Sequence, residues 1–194
     1  LKEKFTQLLN DLRLTYADLH VLGTPRRLVV AVSALAARQA DLVQVVKGPP
    51  AERAFNADGT PTKAAEGFAR GKGVAVSELQ VSDVDGGRYV TVEIHEEGQP
   101  AIQVLSTALP GVIAALKFDK TMRWNESAIA FSRPIRWLLA VLGDQVVPFS
   151  YAGLAADRFT RGLRFQAYDK LQINSAAEYF ARLEEQHIIL DVEE

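Results

Sequence analysis

Residues 2–13 place Phe5, Leu8, Leu9 and Leu12 on one stripe and Lys2, Glu3, Lys4 and Asp11 on the other, the period of an amphipathic helix. A short run, Leu19 to Leu22, leads to a turn at Gly23-Thr24-Pro25, and the β-branched stretch Leu28 to Val32 then predicts a buried strand. Leu42 to Val46 predicts another, ended by Gly48-Pro49-Pro50 because proline removes ladder donors and restricts the residue before it. Asp58-Gly59-Thr60-Pro61 is turn chemistry opening a helix over 62–70, with Ala64, Ala65, Phe68 and Ala69 on one face and Gly71 or Gly73 as its cap. Leu79 to Val84 and Tyr89 to His95 flank Asp85-Gly86-Gly87 as a hairpin, with Tyr89, Thr91 and Glu93 facing away from Val90, Val92 and Ile94.

Helical spacing returns at Ile102, Leu105, Leu109, Val112, Ile113 and Leu116, but Pro110-Gly111 lies inside it, so one bent helix or two short ones both satisfy the pattern. Ile135 to Leu142 and Val146 to Tyr151 bracket Gly143-Asp144 as a second hairpin, and Phe159 to Phe165 predicts a further strand. Ser175-Ala176-Ala177-Glu178 reads as a capping box ahead of a helix carrying Tyr179, Phe180 and Leu183. This order predicts an α+β fold, a mixed and largely antiparallel sheet with several hairpins and packed helices. A division into an α+β lobe over 1–118 and a strand-rich basic lobe over 119–194 is expected. No apolar run approaches the roughly 20 residues of a membrane helix, which predicts a soluble chain. The start at Leu1, without a basic leader, reads as a piece of something longer.

Composition narrows the chemistry. The absence of cysteine excludes disulfides, thiolate zinc sites, iron–sulfur ligation and cysteine nucleophiles, and His20, His95 and His187 have no paired metal-ligand spacing. Gly67-Phe68-Ala69-Arg70-Gly71-Lys72-Gly73 fails as a phosphate loop. Three residues separate Gly67 from Gly71 where four are needed, and Gly73 stands where Ser or Thr should follow the lysine. Asp83-Val84-Asp85-Gly86 begins like a calcium loop, but Gly87 occupies the next ligand position. There is no nucleophile elbow and no H-E-x-x-H pair, so no catalytic or metal-binding residue is nominated and no cofactor is expected on this chain.

A net charge of −2 gives no global cationic excess, so any basic surface is local. It is concentrated in the second half: across 117–164 eight cations face only Asp119, Glu126, Asp144 and Asp157. Arg123-Trp124, Arg136-Trp137, Arg158-Phe159 and Arg164-Phe165 pair arginine with an aromatic neighbour. Strand alternation explains such pairs by itself, because an aromatic in the core puts its neighbour on the surface. Surface guanidiniums are also forks suited to phosphate. The sequence therefore nominates Lys120, Arg123, Arg133, Arg136, Arg161 and Arg164 as a phosphate-facing strip, with Arg158 beside it. Arg26, Arg27, Lys63, Arg70 and Lys72 form a second candidate patch.

Thr24-Pro25-Arg26-Arg27-Leu28, Gly48-Pro49-Pro50 with Ala54-Phe55, and Gly59-Thr60-Pro61-Thr62-Lys63-Ala64-Ala65-Glu66-Gly67-Phe68-Ala69-Arg70 occur in that order. Met122-Arg123-Trp124, Phe131-Ser132-Arg133-Pro134-Ile135-Arg136-Trp137 and Thr160-Arg161-Gly162 follow. Together they strongly resemble the beta subunit of the bacterial, two-subunit type of glycyl-tRNA synthetase. The resemblance implies a cytoplasmic ligase that joins glycine to its tRNA using ATP and Mg²⁺, with the class II catalytic core on an alpha subunit. It implies glycine tRNA, the alpha subunit and the remaining beta-subunit domains as partners, and no membrane. The family's HD-type and anticodon-binding domains are absent from this chain, so this piece alone is expected not to aminoacylate. After Arg161-Gly162 the family commonly has histidine, where Leu163 stands here; the apolar replacement beside Phe165 suggests packing.

Three roles are consistent with the resemblance: a tRNA-contacting and subunit-organising region, an assembly scaffold without direct tRNA contact, or editing of mischarged tRNA. The last follows from a distant likeness to the editing module of the phenylalanyl synthetase beta subunit. It is disfavoured because glycine, the smallest amino acid, allows larger ones to be rejected sterically at the first site.

Overall fold

The computed structural model describes residues 1–56, 58–84, 86–163 and 170–190. Asp85 of the predicted turn, Arg164 and Phe165 lie outside them. The fold is α+β, as the pattern predicts, and the chain forms two compact units: Leu1–Gln39 with Gln99–Glu194, and Ala40–Gly98. Residues on both sides of 118/119 fall in the first unit.

In the first unit, α1 (Lys2–Asp11) is followed by the hairpin of β1 (Asp18–Thr24) and β2 (Arg27–Ser33), whose turn sits at Pro25-Arg26, further along than predicted. Its register, Val21 opposite Val30 and Leu22 opposite Val29, puts alternate pairs on opposite faces. Leu19, Val21, Val30 and Val32 pack into a core with Leu9 and Leu14. Leu22 and Val29 join a second cluster built on Leu183, Ile188 and Leu190. Packing on both faces is the physical reason Val29, Val30 and Val32 are all apolar instead of alternating, whereas Leu28 is 57% exposed and joins neither cluster.

The second unit contains a three-stranded antiparallel sheet in the order β3, β5, β4. Its strands are β3 (Leu42–Pro50), β4 (Gln80–Val84) and β5 (Gly87–Glu96). The short helix α2 (Ala51–Ala54) and α3 (Lys63–Lys72) pack on it through Ala54, Ala65 and Val90. β3 does not stop at Gly48. It continues to Pro50 through a register shift, Lys47 opposite Thr91 and then Pro50 opposite Tyr89, which is one extra residue on β3. An edge strand tolerates this because a missing proline N–H on the open side breaks no ladder. Thr91 faces away from Val90 as predicted but is buried as well, its hydroxyl 3.0 Å from that of Ser82.

Gly48 has a packing reason. A Cβ there would meet the Phe68 ring at 2.7–2.9 Å, so the ring lies directly against the backbone. Gly48→Ala is expected to destabilise by about 1–3 kcal/mol through this overpacking. Equilibrium urea denaturation checks it, and addition of Phe68→Leu should recover part of the loss.

The helix α4 (Ala101–Ala114) runs unbroken through Pro110 and buries Ala101, Leu105, Leu109 and Val112. The strands that follow are short: β6 (Met122–Arg123) pairs with β7 (Ala130–Phe131), and β9 (Val141–Leu142) with β10 (Gln145–Val146) around Gly143-Asp144. β11 (Ser150–Tyr151), β12 (Leu154–Asp157) and β8 (Leu138–Leu139) form a sheet in which β8 and β12 are parallel. β13 (Phe159–Arg161) pairs with β14 (Lys170–Gln172).

The last helix, α5 (Tyr179–Glu184), follows a 3₁₀ turn over Ala176–Glu178, and the predicted capping box does not form. Ser175 makes no side-chain cap; the Glu178 carboxylate accepts from the Asn174 amide instead.

Three helices end alike, each with a left-handed residue whose successor donates back five residues. Arg13, Gly73 and His187 have φ of 51°, 70° and 56°, and Leu14, Val74 and Ile188 donate to the carbonyls of Leu9, Ala69 and Leu183. In α1 and α5 the accompanying pairs, Leu9 with Leu14 and Leu183 with Ile188, are core residues. These caps therefore fix where the chain leaves each helix.

Candidate nucleic-acid interface

The nominated strip lies in the first unit. Arg123 sits on β6, opposite Ala130, and its Nε donates to the Ala128 carbonyl at 3.1 Å. The Trp124 indole donates to the Phe131 carbonyl at 2.8 Å, which closes the hairpin. Trp124 nevertheless stays 39% exposed and Met122 61%, so around Arg123 the aromatic neighbour is not a core residue as simple alternation would have it. The Asn125 amide donates to the Ala152 carbonyl at 3.1 Å and ties the hairpin loop to the turn between β11 and β12.

Arg133 and Arg136 lie exposed on the segment leading into β8. Arg158 is half-buried at the end of β12 and donates to the Asp144 carbonyl at 3.2 Å. Arg161 is the strand partner of Lys170 across β13 and β14, and the Lys170 ammonium stands 5.4 Å from the centre of the Phe159 ring. Lys170 was not nominated from sequence, because only strand pairing places it there. Arg164 lies outside the described residues.

Among the described residues, no carboxylate comes within 4 Å of the charged nitrogens of Lys120, Arg123, Arg133, Arg136 or Arg158. The three guanidiniums at 123, 133 and 136 and the Lys120 ammonium are all on exposed residues. Ion pairs made with the chain's own acids do not account for them.

The second nominated patch divides between the units. Lys63, Arg70 and Lys72 are exposed on α3 of the second unit, and Arg26 and Arg27 belong to the first. The two arginines differ sharply. Arg26 is exposed in the turn, where its amide donates to the Thr24 hydroxyl at 3.2 Å. Arg27 is half-buried: it donates to the Arg161 carbonyl, and its guanidinium stands 5.6 Å from the centre of the Trp137 ring. The Tyr179 phenol is pushed above its ordinary range by burial, an effect that Arg27 and the Thr160 hydroxyl partly oppose. Arg27 is thus engaged inside the unit.

A cleft of about 280 Å³ opens beside this arrangement, lined by Thr24–Arg27, Gly162-Leu163 and His187–Ile189. Leu163 packs against Leu183, Ile188 and Leu190, the packing role expected for it, though with α5 and its C-terminal extension as partners.

The run 67–73 forms helix and cap instead of a loop: Gly67 and Gly71 lie within α3, Gly73 caps it, and the amides of Gly73 and Val74 donate to the carbonyls of Arg70 and Ala69. Among the described residues, no group of three or more His, Asp or Glu side chains could hold a metal ion, and no helix is long and apolar enough to cross a membrane.

The family model described as Glycyl-tRNA synthetase beta subunit matches residues 1–194. The chain is 49% identical over 186 residues to the glycine–tRNA ligase beta subunit of Moorella thermoacetica, covering 96% of this chain and 27% of that protein. It is 42% identical over its whole length to the Limosilactobacillus fermentum beta subunit, 28% of which is covered. It is 43% identical over 188 residues to an Arabidopsis thaliana protein named glycine–tRNA ligase, chloroplastic/mitochondrial 2, covering 97% of this chain and 18% of that one. The chain therefore spans less than a third of the length of these relatives.

Proposed function

The chain belongs to the glycyl-tRNA synthetase beta subunit family, and from that membership we propose that its first unit contacts tRNA and helps to organise the two-subunit enzyme. Glycine is joined to tRNA at the expense of ATP, and that class II chemistry, with ATP and Mg²⁺, resides on the alpha subunit. This chain supplies positioning and does not aminoacylate alone.

The observation that carries the reading is the set of cations at Lys120, Arg123, Arg133, Arg136 and Arg158 without carboxylate partners among the described residues. A scaffold whose arginines were neutralised inside the unit would pair them individually. Exposed guanidiniums, Arg123 on β6 and Arg133 and Arg136 on the segment leading into β8, present forks to a phosphate backbone, fixing register without reading sequence. Met122 and Trp124 leave apolar surface beside Arg123, where an unstacked base gains contact.

The test is tRNA binding by the complete two-subunit enzyme as a function of salt. Arg123→Ala with Arg136→Ala is expected to weaken binding and to make the slope of log K against log salt shallower by about 1.4–1.8, the counterions of two phosphates. Unchanged affinity and slope, with weakened association of the alpha subunit, would establish the scaffold role in its place.

A further inference from the structure

We propose that the cleft between Thr24–Arg27, Gly162-Leu163 and His187–Ile189 takes one unpaired nucleotide of the RNA, its base against the apolar wall and its phosphate at the cationic rim. This deepens, and rests on, the reading that the first unit contacts tRNA. Three segments distant in sequence build the cleft, and contacts within the unit tie them to one another. Arg27 donates to the Arg161 carbonyl, Leu163 and Ile188 sit in the cluster around Leu183, and Thr24 accepts from the Arg26 amide. The walls are therefore formed before a ligand arrives.

The lining combines two chemistries. Pro25, Leu163 and Ile189 supply apolar surface, and Ile189, 68% exposed, is the most exposed large apolar side chain among the described residues. Arg26 lies exposed in the wall, and Gly162 is preceded by Arg161, the strand partner of Lys170. A flat apolar body joined to an anion satisfies both chemistries, and an unpaired nucleotide is such a body. At about 280 Å³ the cleft lies just under the size of ordinary drug-sized ligand sites, room for a single base and too small for a duplex.

His187 adds an independent argument. It is exposed in the cleft wall at a left-handed φ of 56°, the cap position that glycine fills at lower cost. The fold needs no imidazole there, since the cap is made by backbone groups, the amides of His187 and Ile188 donating to Glu184 and Leu183. A residue kept in a strained conformation without a packing duty is a functional candidate.

The test uses the complete two-subunit enzyme with a single-stranded hexaribonucleotide carrying 4-thiouridine, beside a blunt RNA duplex carrying the same photoprobe. Crosslinks of the single strand are expected at peptides 24–27 and 187–190, reduced about tenfold or more in Ile189→Glu and in His187→Gly. Duplex crosslinks should be unaffected by either substitution. His187→Gly relieves the left-handed strain, so its thermal midpoint should stay level or rise while binding falls, a combination that a purely structural role cannot produce. Unchanged single-strand crosslinks, or equal losses for both RNAs, would overturn the cleft assignment while leaving the arginine strip standing. A loss of alpha-subunit association with RNA crosslinks intact would overturn it too, in favour of a protein side chain as occupant. Absence of any RNA crosslink to the first unit would overturn both readings.

Discussion

Truncating Leu183 to alanine is expected to destabilise the first unit by about 2–5 kcal/mol, the cost of losing a buried leucine and leaving a cavity. Leu183 is 1% exposed and packs with Ile188 and Leu190, with Leu22 and Val29 from the second face of the β1–β2 hairpin, and with Leu163 and Tyr179. Its neighbours cannot close in easily, because Ile188 is also held by its amide bond to the Leu183 carbonyl and Leu22 by its strand partner. The expected result is a lower urea midpoint, with amides of β1, β2 and residues 183–188 exchanging sooner than those of α1 and α4, whose core is a separate cluster. Phe180→Ala is the control. Phe180 is 42% exposed, so although it is the larger side chain its truncation should cost less. A Leu183→Ala loss below about 1 kcal/mol would mean that α5 is not part of the cooperative unit.

Periodic signals were legible in the sequence wherever one face met the core. α1, α3 and the β4–β5 hairpin stand where alternation or the 3.6-residue stripe puts them, while β1–β2 is announced by its apolar runs and its turn lies further along than predicted. Prolines were the less certain punctuation. Pro49-Pro50 lie within an edge strand and Pro110 within α4, both settings where tertiary packing overrides the local penalty. Between 118 and 163 the strands are mostly two to four residues long, too short for any period, so only the Gly143-Asp144 turn is announced there.

The candidate site is legible in type but not in detail. Arginine enrichment is a composition fact, while the contrast between exposed Arg26 and engaged Arg27 depends on Trp137 and Arg161, more than a hundred residues away. Lys170 opposite Arg161 and His187 in the cleft wall are consequences of pairing and capping, and no local pattern marks them. The second patch draws Arg26 and Arg27 from one unit and Lys63, Arg70 and Lys72 from the other, a division no local pattern marks.

Arg27→Ala is the substitution that separates positioning from phosphate contact. The guanidinium donates to the Arg161 carbonyl from a half-buried place and covers Trp137. Charged hydrogen bonds of this kind contribute about 1.5–3 kcal/mol and a cation over a ring about 0.5–2, not additively, so a loss of roughly 2–4 kcal/mol is expected. Arg27→Lys should recover only part, since an ammonium can reach one acceptor but cannot lie flat on Trp137 while doing so. An effect through positioning also leaves a trace on Tyr179, whose phenol is raised by burial and drawn down by Arg27. Without Arg27 that phenol should titrate at still higher pH, read by absorbance near 295 nm against Tyr179→Phe. The sign for stability follows from the same shift. A phenol raised in the folded state contributes fully below the unfolded value of about 10, and the contribution is lost as pH rises from there through the folded value. The wild-type chain should therefore lose stability above about pH 10 more steeply than Tyr179→Phe does. If Arg27→Ala instead left stability and the Tyr179 titration unchanged and altered only the salt slope of RNA binding, Arg27 would be a phosphate ligand, the role proposed for Arg123, and not a strut of the cleft.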